Sequence, residues 1–411
     1  MIAGVLTFLT MSFTVASLAG LGLTAGFAAR VRGVRAAAVL SIMMGIHVAV
    51  SIGVYPLIGL AAPLFWLLQL ATLLSVGSML VPGLRSLPWR VLVDWPATMF
   101  IAGTFLAIPW ALIRIGPWEP LGIMLPYLLS AIGLIQSLSA RRELVALDLR
   151  QPAAPALARN NAALTRVVGR HASLELSGPA VRIFQITDPH LGTFMSIARL
   201  ARLSQRAVDS GAELILLTGD FLTFATNHDD DSLAAALAPL REHPHVYACP
   251  GNHDHEAPET VQRALAAVGA RMLIDDSVVV DTEAGPVEVM GLNHRWRQSA
   301  EHLQSVLSRP RPHRDGVPIP RIAMLHDPLR FRDCPDGSVD LALSGHTHGG
   351  QVGLVSLGRD WTVVSGIFGL VDHGLWSQGE NHLYVHRGQG HYGFPLRLGV
   401  PAEESVISVR F

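Results

Sequence analysis

Two regimes of hydrophobic patterning divide the chain. Residues 1–29 carry no charged side chain, and residues 36–84 carry none over 49 positions. Further uncharged stretches run over 95–113 and 120–140. A bilayer-crossing helix needs about 20 mainly apolar residues. These stretches also lack the polar stripe of a helix on a soluble core. The pattern predicts five membrane spans, near 3–28, 36–56, 61–82, 95–113 and 119–140. The first is too long, and has no positive flank before it, for a cleaved leader. A Pro/Ala segment, Gln151-Pro-Ala-Ala-Pro-Ala, follows. Beyond it, short apolar runs alternate with amphipathic stretches. Strands are predicted at 181–187, 213–218 and 246–249, then at 277–281, 286–291, 320–325, 339–343, 382–386 and 405–410. Helices are predicted at 197–208, 232–240 and 260–268, where apolar residues recur three and four apart. The expected organisation is a membrane domain over 1–140, a linker over 141–160 and an α/β domain over 161–411.

Composition sharpens this division. Half of the 411 residues are hydrophobic and 15% are charged, against about 25% charged in an ordinary soluble domain. Mean hydropathy is +0.37. Disorder, a coiled coil and nucleic-acid binding by bulk charge are excluded. Two cysteines exclude a disulfide framework. The net charge of −1 hides an asymmetry. Residues 1–150 hold nine Arg and four acids, whereas 151–411 hold 22 Arg and 28 acids. Seventeen of the 18 histidines follow residue 150.

Arginine placement predicts orientation. Arg30, Arg32, Arg35, Arg85, Arg90, Arg141, Arg142 and Arg150 fall on one side of the five spans, and Arg114 alone on the other. The N-terminus is then outside, and everything after residue 140 lies on the cytoplasmic face of the inner or plasma membrane. Cys249 and Cys334 should stay reduced there. The spans show no transport path. His47 lacks a carboxylate partner within its span, which favours a helix-packing hydrogen bond. Asp94 is expected at the interface.

Five polar clusters each follow a predicted strand: Asp188-Pro-His190, Gly219-Asp220, Gly251-Asn-His-Asp254, His326-Asp327 and Gly345-His-Thr-His-Gly-Gly350. In open α/β sheets, sites form beyond the carboxyl ends of strands. Imidazole, carboxylate and amide oxygen without thiolate suit Mn²⁺, Zn²⁺ or Fe. In strand geometry Asp-x-His and His-x-His would each point both side chains one way. Asp188, His190, Asp220, Asn252, His326, His346 and His348 make seven ligands, too many for one ion and enough for two. Two ions roughly 3.5–4 Å apart are the arrangement of two-metal phosphoryl-transfer sites.

In these clusters and their order the sequence resembles the calcineurin-like metallophosphoesterases over about 165–411. Gly345-His-Thr-His-Gly-Gly-Gln351 and the ending Arg387-Gly-Gln-Gly390…Pro395-Leu-Arg-Leu-Gly399…Pro401 resemble the bacterial membrane-associated, YkuE-like branch. That branch includes UDP-2,3-diacylglucosamine pyrophosphatases of lipid A synthesis. The resemblance implies an α/β/β/α sandwich after the all-α membrane bundle. It implies two divalent ions, Mn²⁺ first and Zn²⁺ or Fe as alternatives. Asp188, His190 and His348 would hold one, and Asn252, His326 and His346 the other, with Asp220 bridging. His253 resembles the catalytic general acid, acting with a hydroxide held between the ions. The family often has a second Asp three residues after the bridging one, where it orients this histidine. Thr223 stands here, and Asp254 or a water is the expected substitute.

Weaker candidates surround this set. Arg387 is a candidate to grip a substrate phosphate, with a surface ion pair as the alternative. Arg295, Arg297, Arg309, Arg311 and Arg314 form a basic stretch, a solvated loop or a contact for anionic headgroups or a nucleotide diphosphate. His228, His243, His245 and His255 are expected on the surface, and Cys249 in the core. The reading is a membrane-anchored dimetal phosphoesterase cleaving a phosphodiester or pyrophosphate, with a lipid-linked or nucleotide-diphosphate-type substrate. The partner is the bilayer; no nucleic acid and no protein partner is inferred. A UDP-2,3-diacylglucosamine pyrophosphatase is the narrower alternative. A metal-binding sensory module on a small membrane protein is the alternative from another class.

Overall fold

A computed structural model describes residues 2–411 except 117, 119, 152, 170–173, 175–177, 224–225, 227–229 and 295–298. The chain divides into two compact units, Met1–Leu138 with Gly393–Leu398, and Ser139–Tyr392 with Gly399–Phe411.

The first unit is helical. Thr7–Arg32, Val34–Leu57 and Gly59–Met79 are long and apolar enough to cross a membrane. Leu87–Leu106 and Ile108–Ile115 together reach that length but bend by 45°. Pro109 sits in the first turn after the break, where its missing N–H and ring interrupt the ladder. Leu125–Ser137 has 13 residues. At 1.5 Å per residue it spans about 20 Å, short of a hydrocarbon core of about 30 Å. Against five expected spans, three helices among the described residues are long and apolar enough alone, or four if the bent pair is one span. Phe13, Tyr55, Phe65, Phe100 and Tyr127 form an aromatic core, with Phe13 stacked on Tyr55 at 4.1 Å. His47 Nε2 meets Gln69 Oε1 at 3.2 Å, a helix-packing contact. Asp94 is buried within this bundle and accepts from the Ser75 hydroxyl at 2.8 Å and the Trp89 indole at 3.2 Å.

The second unit carries sixteen strands among its described residues. In chain order they are β1 (Ala140–Asp148), β2 (Ala158–Arg159), β3 (Leu164–Val168), β4 (Val181–Ile186), β5 (Leu214–Leu217) and β6 (Val246–Ala248). Next come β7 (Arg271–Met272), β8 (Asp276–Thr282), β9 (Gly285–Gly291), β10 (His313–Arg314) and β11 (Val317–Pro318). Last are β12 (Arg321–Met324), β13 (Leu341–Ser344), β14 (Gly374–Gln378), β15 (Asn381–Val385) and β16 (Ala402–Arg410). One seven-stranded sheet runs β3-β1-β16-β4-β5-β6-β7 and the other β2-β14-β15-β13-β12-β9-β8.

Alternation within strands makes the sandwich. Val145, Leu147, Ile183, Leu214, Leu216, Ile407 and Val409 of the first sheet pack with Val287, Val289, Ile322, Met324, Leu341 and Leu343 of the second. Each fully buried Ile or Leu contributes roughly 1.5–3 kcal/mol. Ala323, Ala342, Leu383 and Val385 alternate with these and pack on Leu303, Val306 and Leu307 of the helix Ala300–Leu307. The central strands are therefore apolar on both faces, as β5 (Leu-Ile-Leu-Leu) shows.

The expected linker is corrected in part. Residues 140–148 form a long strand inside the first sheet, parallel to β16 and antiparallel to β3. Its charged start, Arg141-Arg142-Glu143, masked the inward alternation of Val145 and Leu147.

Candidate metal centre

Every expected ligand follows the carboxyl end of a strand. Asp188 follows β4, Asp220 follows β5, Asn252 follows β6, His326 follows β12 and His346 follows β13. Parallel pairing of β4 with β5, of β5 with β6, and of β12 with β13 brings these ends to one edge within each sheet. Asp188, His190 and His348 form one group with ligand atoms within 4.8 Å of one another; Asp220, His326 and His346 form a second. Asp220 Oδ2 lies 3.5 Å from His190 Nε2 and 3.3 Å from His326 Nε2, so it stands between the groups. Asn252 Oδ1 lies 3.2 Å from His326 Nε2.

The strand-period argument for Asp-x-His and His-x-His does not hold. These residues are beyond the strands, in turns. Asp188, His190, Asp220, His346 and His348 all have left-handed backbones, with φ of 51°, 45°, 58°, 67° and 52°. Such positions cost of order 1–3 kcal/mol and persist where surroundings over-determine them. Asp188 shows how: its carboxylate accepts the Thr187 hydroxyl at 2.8 Å and the His346 N–H at 2.9 Å. Gly345 is obligatory beside it, because a Cβ there would lie 2.1 Å from Asp188 Oδ2 and from Thr187 Oγ1.

Histidine tautomers are set by backbone carbonyls. His326 Nδ1 is 2.7 Å from Thr218 O, and His190 Nδ1 is 3.2 Å from Leu222 O. Each Nδ1–H donates, leaving the Nε2 lone pair for a cation, the usual outer support of a metal ligand. His190 Nε2 is buried and makes no hydrogen bond among the described residues. A cation fits this donor set. Without one, burial opposes charge on His326, but Asp220 and Asp188 outweigh it and push the imidazole up to about 10. Burial lowers His190 to about 4. Burial and neighbouring Asp220 raise Asp254 to about 6.

His253 stands at the rim. Its ring lies 5.4 Å from His190 and 4.7 Å from Tyr392. Its Nδ1 meets Glu256 Oε1 at 3.0 Å across the short turn Asp254–Glu256. The expected substitute, Asp254, does not reach His253. Its carboxylate accepts N–H groups of Gly251 at 2.7 Å, Asp220 at 2.8 Å and Phe221 at 2.9 Å. Asp254 is a positioning residue for the Asp220 backbone. Thr223 instead donates its hydroxyl to Leu191 O.

Arg387 is also corrected. Its guanidinium is fully buried and paired with Glu143 at 2.5 Å and Glu403 at 3.4 Å, not a surface group. Arg309, Arg311 and Arg314 are tied to Asp275, Asp340 and Asp281. Arg295, Arg297 and His228 lie outside the described residues. His255 is exposed, His243 binds Ala212 O, and Cys249 and Cys334 are buried free thiols. Glu256, Tyr392 and His294 were missed. Tyr392 stacks on His190 at 5.2 Å, and His294 lies 5.9 Å from His326. Glu256 had a signal, the His-x-x-Glu spacing of one turn. Tyr392 and His294 had none, since only the fold brings them near.

Residues 181–350 match the Calcineurin-like phosphoesterase family. The chain is 30% identical over 233 residues to the uncharacterized metallophosphoesterase YkoQ of Bacillus subtilis, covering 53% of this chain and 80% of that protein. It is 28% identical over 233 residues to Phosphodiesterase YaeI of Escherichia coli, covering 56% and 82%. It is 25% identical over 256 residues to the UDP-2,3-diacylglucosamine pyrophosphatase LpxG of Chlamydia muridarum, covering 51% and 78%. With two groups of potential metal ligands at the strand ends and these relatives, the chain belongs to the calcineurin-like metallophosphoesterase family of phosphoester hydrolases.

Proposed function

We propose that this protein is a membrane-anchored, two-metal hydrolase of a phosphodiester or pyrophosphate, with a lipid-linked substrate. The observation that carries the proposal is Asp220 standing between two ligand groups, with His253 at their rim. Asp188, His190 and His348 would hold one divalent ion, and His326, His346 and Asn252 the other, with Asp220 shared. Bound there, the ions supply a nucleophile at neutral pH and neutralise phosphoryl charge. The protein's part is to fix ligand geometry, through the Thr218 and Leu222 carbonyls and the Asp254 carboxylate. His253, held at Nδ1 by Glu256, keeps Nε2 for proton delivery to the leaving oxygen.

Membrane anchoring is supported by three helices of spanning length. A lipid-linked substrate is supported by that anchorage and by the activity printed for the LpxG relative. The same relative favours a narrower second reading, hydrolysis of UDP-2,3-diacylglucosamine, for which release of UMP and a lipid monophosphate is the discriminating product pair. The sensory-module reading gives way to membership of a hydrolase family. From arginine placement we place the catalytic unit on the cytoplasmic face; a reporter fused after residue 150 should read cytoplasmic, and a periplasmic signal would overturn the five-span count and the substrate pool.

The test is phosphodiester hydrolysis by detergent-solubilised full-length protein, stripped with chelator and resupplied with Mn²⁺, Zn²⁺ or Fe²⁺, beside Asp220→Asn. Metal-dependent turnover that the variant lacks is expected. Turnover undiminished by chelator or by the variant would overturn the two-metal assignment.

A further inference from the structure

The catalytic unit carries an apolar surface that its own fold does not need. Among the described residues, six of its ten exposed large apolar side chains lie within twenty residues: Leu354, Leu357, Trp361, Ile367, Phe368 and Leu370. Leu357, Ile367 and Phe368 are each 65–75% exposed. Residues 352–371 contain two charges, Arg359 and Asp360, and begin four residues after the metal-ligand candidate His348.

This segment is built, not frayed. Val352 and Gly353 pair with residues around Thr362, through Leu354 N–H to Trp361 O at 2.8 Å and Val363 N–H to Val352 O at 2.8 Å. The turn between them presents Leu357. The short helix Val363–Phe368 follows, opened by a Thr362–Ser365 capping box. Trp361 lies over Gly366, where a Cβ would come 2.0 Å from its indole nitrogen. Hairpin and helix are thus locked together with their apolar side chains left outward. A cleft of about 540 Å³ adjoins the turn, lined by Arg359, Arg141 and Arg166 with Asp360. Arg141 and Arg166 are satisfied by Glu143, whereas Arg359 makes no ion pair among the described residues.

We propose that residues 352–371 are an interfacial element that inserts into the surface of an anionic phospholipid bilayer. The apolar side chains enter the headgroup–acyl boundary, and Arg359 meets lipid phosphate. Water-facing apolar patches of this kind mark interaction sites. Tryptophan beside arginine is the composition of a membrane–water boundary. A bilayer is favoured over a second copy of the chain because the chain already carries helices of spanning length and because Arg359 makes no ion pair among the described residues. The inference rests on the membrane-anchored reading above. It adds that the catalytic unit itself touches lipid beside the metal-ligand turn.

The test uses full-length protein in nanodiscs containing phosphatidylglycerol. Single cysteines replace Leu357, Ile367 or Phe368, with Cys249 and Cys334 buried and Glu259 (exposed, outside the segment) as the aqueous control. An environment-sensitive fluorophore on each is challenged with lipid-borne quenchers at graded depth. Expected is quenching at 357, 367 and 368, strongest for a quencher about 5–10 Å below the surface, none at 259, and loss of quenching in Arg359→Glu. Water-like emission and no quenching at all three positions would overturn the proposal. So would proximity quenching between labels of two copies with none from lipid, which would make this face a self-association surface. A label at Leu67, in a helix of spanning length, separates the two levels: if it too escapes quenching the anchored reading fails, whereas quenching at 67 alone sinks only the interfacial element. None of these readouts depends on turnover.

Discussion

Replacing Arg387 with methionine separates a structural from a substrate-binding role. Methionine keeps much of the length and removes the charge. The lost guanidinium contacts Glu143 through Nη2, Glu403 through Nη1 and Pro401 O through Nε at 3.1 Å. Glu143 would keep Arg141 at 2.5 Å and Arg166 at 2.9 Å. Glu403 would keep the Tyr384 hydroxyl at 2.5 Å, the Arg387 backbone N–H, His386 at 3.7 Å and the attraction of Arg166. The larger loss therefore falls on Glu403, which keeps no arginine within ion-pair distance among the described residues, whereas Glu143 keeps two. Breaking a fully buried pair costs about 3–5 kcal/mol, and the surviving partners place this case near the lower end, about 3 kcal/mol. At roughly 2–4 °C per kcal/mol for a unit of this size, the melting transition should fall by about 6–12 °C. The assay is thermal unfolding of the detergent-solubilised full chain, with KM measured well below the transition. KM should not change. Adding Glu403→Gln should restore part of the loss, because the stranded charge is gone. A melting point within about 2 °C of the parent, with KM raised roughly tenfold, would refute the buried-pair argument and return Arg387 to the substrate.

Three further outcomes follow from the site. Glu256→Gln removes the charged partner of His253 while keeping its shape; since Glu256 is 40% exposed, screening limits the effect to at most about 1 kcal/mol, or roughly fivefold in kcat, with metal content unchanged, and a hundredfold loss or no loss relative to Glu259→Gln would contradict it. Gly345→Ala should abolish metal retention and turnover together, because its Cβ would lie 2.1 Å from Asp188 Oδ2; wild-type metal content in that variant would show that the turn can relax. Metal binding should release a proton near neutral pH. His326 is held charged up to about 10 against 6.5 unfolded, so in metal-free protein its pairing with Asp220 stabilises fully below pH 6.5 and is lost as pH rises through about 10. Ligation needs the neutral ring, so affinity should climb about tenfold per pH unit between 7 and 9, measured by metal titration; a flat profile would exclude His326 as the displaced acid.

The sequence alone marked out an apolar helical part and an α/β part, because charge-free runs and alternating short strands are local patterns that only burial explains; the division at Leu138 and the grouping of Gly393–Leu398 with the helices came from tertiary contacts. It also determined which residues gather at the centre. Asp188, His190, Asp220, Asn252, His326, His346 and His348 each follow a strand, and parallel strands deliver their ends to one edge. The strand β1 was not legible, since its charged start hides an inward face that exists only once β16 and β3 flank it. Tertiary structure also decided what each charged group does. From sequence, Arg387 read as a phosphate-gripping candidate, Asp254 as the partner of His253 and Asp94 as an interfacial acid. Two buried carboxylates enclose the first, three backbone N–H groups claim the second, and Ser75 and Trp89 hold the third. Conversely, Tyr392, His294 and the apolar segment at 352–371 acquire meaning only in space. A partner or a solvent face is a property of distance, and sequence spacing fixes distance only within a turn or a strand.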